Sequence, residues 1–107
     1  MRRASNKDSN HGEIRMAFEA MGCTVENLES PTAGVPDLLV GVFGLTELVE
    51  VKDGAKPPSA RKLNDAQTKW HAEWRGRKPV VVTSIDDAVA VVARLRGLLT
   101  QSEVHHG

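Results

Sequence analysis

Residues 34–52, GVPDLLVGVFGLTELVEVK, hold two apolar runs on either side of Phe43-Gly44 and no base until Lys52. Such runs around a glycine-bearing dipeptide predict a β-hairpin. A two-residue turn at Phe43-Gly44 fixes its register: residues whose numbers sum to 87 face each other, so Asp37 lies opposite Glu50. Like charges directly opposite one another destabilise a sheet, and unpaired carboxylates in an apolar segment are costly. The pair therefore requires a shared proton or a cation between its members.

A divalent cation suits the residues present. Mg²⁺ and Mn²⁺ take hard carboxylate, carbonyl and water oxygens, and the stretch offers no thiolate and no histidine cluster. Lys52, two positions beyond Glu50, points to the same face of the strand. An ammonium beside a metal-bound phosphate can neutralise developing charge or position a water, which is the equipment of metal-assisted phosphodiester hydrolysis. On spacing alone a plainer arrangement stays open, with Asp37 a turn residue after Pro36 and Glu50 paired with Lys52 or another base on a wet face.

The remainder of the chain frames this hairpin. Helical spacing of Ile14, Ala17, Phe18 and Met21 predicts a first helix starting at Asn10 and ended by Gly22 in a left-handed cap, with Cys23 in the core after it. CTVENL reads as a short strand and SPTAGVP as a loop. The proline pair in GAKPPSARKL makes that segment an exposed basic loop. Asn64 to Trp74 follows as a helix, with Asn64 and Gln67 spaced as a capping box, Trp70 and Trp74 on one face, and Gly76 ending it. PVVVT predicts a strand buried on both faces, and Ser84 caps a last helix with Ala88, Val91, Val92, Leu95, Leu98 and Leu99 as its core-facing stripe. The order αβββαβα predicts an α/β fold, a mixed sheet flanked by helices.

At 107 residues the chain suits one domain with a single core, expected over 10–100, between flexible termini at 1–9 and 101–107. No apolar run approaches the roughly 20 residues that span a bilayer, and no apolar segment follows Arg2 and Arg3, so the expected location is the cytoplasm, away from any membrane. A lone cysteine excludes an internal disulfide and a zinc site built on cysteine pairs. Net charge is zero, yet residues 29–51 carry four acids and no Lys or Arg while residues 52–78 carry eight bases. That asymmetry fits either a solvated surface or an anionic partner.

Pro36-Asp37 followed by Glu50-Val51-Lys52 resembles the two halves of the PD-(D/E)XK nuclease motif, and NDAQTKWHAEWRGRKPVVVTSIDDAV is similar to the glutamine-bearing helix, strand and closing helix of the VRR-NUC branch, close to Holliday junction resolvases. The likeness covers roughly residues 10–95 and implies a restriction-endonuclease-like core. It implies Asp37 and Glu50 as metal ligands joined by the Val51 carbonyl, Lys52 as the catalytic lysine, and Mg²⁺ or Mn²⁺ as cofactor. Gln67 matches the family's glutamine, expected to orient Lys52 or a phosphate, and its plain alternative is the third residue of a capped helix. Glu13 matches an acidic residue on the first helix of this family and is either a further metal contact, directly or through water, or half of a capping box with Asn10. Nothing in the sequence pairs His11 or His71 with a nucleophile, and neither receives a role.

The resemblance gives the basic stretch a purpose, since carboxylates at a site repel a polyanion unless the metal and nearby bases offset them. Lys56, Arg61, Lys62 and Lys69 are the expected phosphate contacts, with Arg75, Arg77 and Lys78 further out. Contacts of this kind fix register without reading bases, which favours recognition of DNA shape at a branch or flap. Likeness to resolvases implies a homodimer on branched DNA, and small members of this kind resemble phage-borne proteins. Two alternatives differ in kind: a DNA-binding module with a decayed nuclease core, and a nicking or flap nuclease with no junction preference. A restriction-type enzyme would need DNA-reading segments for which this chain has no room.

Overall fold

The computed structural model describes residues 9–106, with side chains to residue 99. Expectations for residues 1–8 and 107 lie outside the described residues. The elements run α1 (His11–Ala20), β1 (Thr24–Asn27), β2 (Leu38–Val42), β3 (Leu45–Val51), α2 (Asp65–Glu73), β4 (Val80–Val82) and α3 (Ile85–His106), with a 3-10 turn at Pro58–Arg61. This is the α/β order expected, around one four-stranded mixed sheet in the order β1-β2-β3-β4. The backbone of α3 includes residues 101–106, where the sequence shows no helical pattern.

The hairpin register is the predicted one. Leu38 pairs with Val49, Leu39 with Leu48 and Val42 with Leu45. Phe43 and Gly44 both have positive φ, at 57° and 76°, as a type I′ turn requires. Phenylalanine is uncommon there; its ring packs on the core and lies 4.6 Å beneath the Arg96 guanidinium, contacts that offset the backbone cost.

Because strand side chains alternate, each face of the hairpin has its own content. Leu38, Val40, Val42, Val49 and Val51 point to one face and pack with Ile14 and Phe18 of α1 and Ala88, Val91 and Leu95 of α3, forming the core. The other face carries Asp37, Leu39, Leu48, Glu50 and Lys52, beneath α2. Here β3 and β4 run parallel, joined by the crossover that contains α2.

Three local expectations are corrected. β4 is an edge strand, and only Val82 of its three valines is buried, Val81 being 41% exposed. Helix α2 ends at Glu73, with Trp74 as its C-cap, rather than at Gly76, whose missing Cβ instead lets Trp74 pack against it. Asn10 caps α1 by position but its side chain makes no capping bond, so no capping box forms with Glu13. The Asn10 amide donates to the carbonyls of Lys52 at 3.1 Å and Thr83 at 3.2 Å, tying the ends of β3 and β4 together.

Candidate active site

The expected register carries Asp37 to the residue before β2, across from Glu50. Asp37 Oδ2 accepts a 2.8 Å hydrogen bond from the Val51 amide, which turns the carboxylate toward β3. Glu50 is 2% exposed. Above both, one side chain of α2 organises the site. Gln67 Nε2 donates to Glu50 Oε2 at 2.9 Å, and its Oε1 accepts from Lys52 Nζ at 2.9 Å and from the Asn64 amide at 2.9 Å. Asn64 Oδ1 in turn accepts from the Gln67 amide at 2.8 Å, completing the capping box of α2.

The two readings of Gln67 thus coexist. A lysine and a backbone N–H can only donate, and a carboxylate can only accept, so reversing the Gln67 amide would set donors against donors and oxygen against oxygen. The helix cap therefore fixes the orientation in which Glu50 receives a proton donor and Lys52 an acceptor. The fit of α2 onto the hairpin also depends on Gly34, whose φ is +91° and whose Cβ, if present, would lie 2.3 Å from the Ala66 carbonyl oxygen.

His71, one helical turn after Gln67, received no role from the sequence, yet the structure sets it at the site. Its Nε2 lies 3.8 Å from Glu50 Oε1, with the side chain 12% exposed. Burial, followed by the ammoniums of Lys52 and Lys78, holds its pKa below the ordinary imidazole range. The shift is downward, so the ring is neutral near pH 7. The i, i+4 spacing of Gln67 and His71 was the available signal.

The donor set suits a hard cation. Asp37 and Glu50 provide carboxylates on adjacent strands, Val51 provides a carbonyl, and the only cysteine, Cys23, lies in the core. Among the described residues no group of three or more His, Cys, Asp or Glu is gathered to hold a metal. Two carboxylates completed by carbonyl, water and phosphate oxygens match the habit of Mg²⁺, which keeps several waters. Glu13 is not drawn into the Gln67 network: exposed on α1, it lines a cleft of about 560 Å³ together with Asn10, Asp53 and Thr83.

Of the expected phosphate contacts, Lys56 and Lys62 are exposed on the loop before α2, and Arg61 is half-buried there with Nε lacking a hydrogen-bond partner. Lys69 pairs with Glu73 at 3.2 Å on the outer face of α2. Two of the outer bases are engaged in the fold instead. Arg77 donates twice to Glu47 Oε1, at 3.1 and 2.7 Å, while Arg94 of α3 donates to Glu47 Oε2 at 2.9 Å. Lys78 Nζ lies against the carbonyls of His71, Ala72 and Trp74, at the negative end of α2.

No family model matches the sequence, and no curated protein matches it. Among solved structures the chain is similar to one described as a VRR_NUC domain, at 29% sequence identity and a TM-score of 0.60, over 78% of this chain and 95% of that one. No helix among the described residues is long and apolar enough to cross a membrane. With this match on a mixed sheet that sets Asp37, Glu50 and Lys52 on one face, the chain has a VRR-NUC-like nuclease fold of the PD-(D/E)XK kind, a likeness that supports a nuclease-family function.

Proposed function

We propose that the protein is a metal-dependent DNA endonuclease that hydrolyses phosphodiester bonds and selects branched DNA. The observation that carries this reading is the Gln67 amide held between Glu50 and Lys52, beside Asp37 in the paired register. Asp37, Glu50 and the Val51 carbonyl would hold Mg²⁺ or Mn²⁺, and that ion would act as a Lewis acid on a phosphoryl oxygen and lower the pKa of a water. Gln67 holds Lys52 Nζ through one of its three protons, leaving the others for a phosphate oxygen or the attacking water. The same amide fixes the Glu50 carboxylate, so acid and base keep their places as charge develops.

Selection of branched DNA is supported by the small size of the domain and by the four candidate phosphate contacts, Lys56, Arg61, Lys62 and Lys69, which lie on the loop before α2 and on α2 itself. A two-fold dimer would give paired cuts at a junction. Exposed Ile85 and Val89, one turn apart on α3, and Val81 on the edge strand are apolar side chains available to such a contact. The test incubates the protein with four-way junction, flap, duplex and single-stranded DNA, with Mg²⁺ or Mn²⁺ and in EDTA, and measures its mass by sedimentation. Cleavage of branched DNA that vanishes in EDTA is expected, with a dimer making paired nicks. Undiminished cutting in EDTA would remove the metal from the mechanism; a monomer making unpaired nicks would leave a nicking or flap nuclease.

A further inference from the structure

The site shares its face of the sheet with an apolar cleft of about 410 Å³. Leu39 and Leu48, paired across β2 and β3, line it beside Trp70 of α2 and Trp74, the C-cap of that helix. The two indoles are stacked, with centroids 4.8 Å apart and planes within 14°, and Trp74 remains 41% exposed. We propose that this cleft is a binding site for one unpaired nucleobase of the DNA strand being cut, the base stacking with the Trp70–Trp74 pair. The inference rests on the nuclease reading and names what that nuclease would recognise at a branch, an unpaired nucleotide beside the scissile phosphate.

Position, chemistry and size agree on this occupant. Leu39 and Leu48 each stand two residues along their strands from Asp37 and Glu50, about 6.7 Å away on the same face. A base attached to a nucleotide whose phosphate lies at the carboxylates therefore falls above the leucines. An indole surface accepts any base, because every base has a π-face, and one stack contributes on the order of 1–3 kcal/mol. A paired base is occupied with its neighbours and cannot enter. A second copy of the chain is a poorer occupant, since a stable dimer takes about 600 Å² or more from each partner and this feature is a single cleft.

The test uses flap substrates that carry either a normal nucleotide or an abasic one next to the mapped cut. For the wild-type protein, KM on the abasic flap should be higher by about 5- to 160-fold, the range that one lost stack implies. Trp74→Ala should raise KM on the normal flap to the abasic value while leaving the abasic substrate unaffected, and Trp74→Phe should restore discrimination. A second readout needs no cleavage. Both tryptophans of the chain line the cleft, so oligothymidylate in EDTA should quench the intrinsic fluorescence, whereas an abasic oligomer of equal length and charge should not.

The arms separate the two ideas. Quenching by oligothymidylate alone, with no cutting of any substrate, would overturn the nuclease reading and keep the base site. Cutting that ignores the abasic change, with equal quenching by both oligomers, would overturn the base site and keep the nuclease. Fluorescence that changes with protein concentration in the absence of DNA, alongside dimer formation, would assign the cleft to a second copy and overturn the proposal.

Discussion

Gln67 carries two functions in one amide, and substitution can divide them. Gln67→Ala removes the acceptor of the Asn64 amide, which should cost about 1 kcal/mol and lower Tm by about 4–8 °C, as well as releasing Lys52. Gln67→Glu keeps an oxygen for Asn64 and Lys52 but presents Glu50 with a second carboxylate in place of a donor. Its kcat should drop by about 10²-fold, the scale of a displaced catalytic group; wild-type cutting by this variant would show that the amide does not organise the site. His71 gives a pH signature. Its folded pKa lies below the unfolded value of about 6.5, so the unfolded chain takes up the proton first. The metal-free protein should therefore be fully stabilised above pH 6.5 and lose stability as pH falls from there through the folded pKa. His71→Gln should flatten that slope in thermal unfolding followed against pH.

Among the elements, the hairpin was the most legible, because a two-residue turn and alternating side chains leave one register that buries the right residues. The capping box of α2 was legible for the same local reason. What the sequence did not disclose were contacts between segments far apart along it. Asn10 has the right spacing to Glu13, yet its amide binds carbonyls 42 and 73 residues away, and no short-range pattern encodes that choice. PVVVT looks doubly buried, but the sheet ends there and α2 leaves Val81 exposed. Glu47 read as one more acid of the hairpin, and the structure buries it on the core face between Arg77 and Arg94, with 1% of its side chain exposed against 51% and 50% for theirs. Breaking such a cluster from one side differs from removing it. Replacing both Arg77 and Arg94 by Met should cost about 3 kcal/mol by stranding the carboxylate, whereas Glu47→Leu should cost less than about 1 kcal/mol. Urea unfolding of both variants decides this, and equal losses would deny the pair its role.

For the molecule as a whole, charges on the α2 side have to divide between holding the fold and holding DNA. Lys56, Arg61, Lys62 or Lys69, each replaced by Gln, should make the slope of log Kd against log salt shallower by about 0.9, one duplex phosphate each, while Arg77→Gln should leave it unchanged because that guanidinium serves Glu47. Identical slopes throughout would place the DNA elsewhere. The sheet also divides the molecule, with the packed core against α1 and α3 on one face and Asp37, Glu50, Lys52 and the tryptophan cleft on the other. Strand geometry turns this partition into a parity rule for the mutational landscape. In a saturation scan of β3 and the Lys52 that follows it, substitutions at odd positions 45, 49 and 51 should deplete protein abundance in cells, and those at 48, 50 and 52 should leave protein present but inactive. Selection acting on this chain would meet two nearly independent sets of sites on a single strand, so activity could drift or be retuned along one set without first eroding the other.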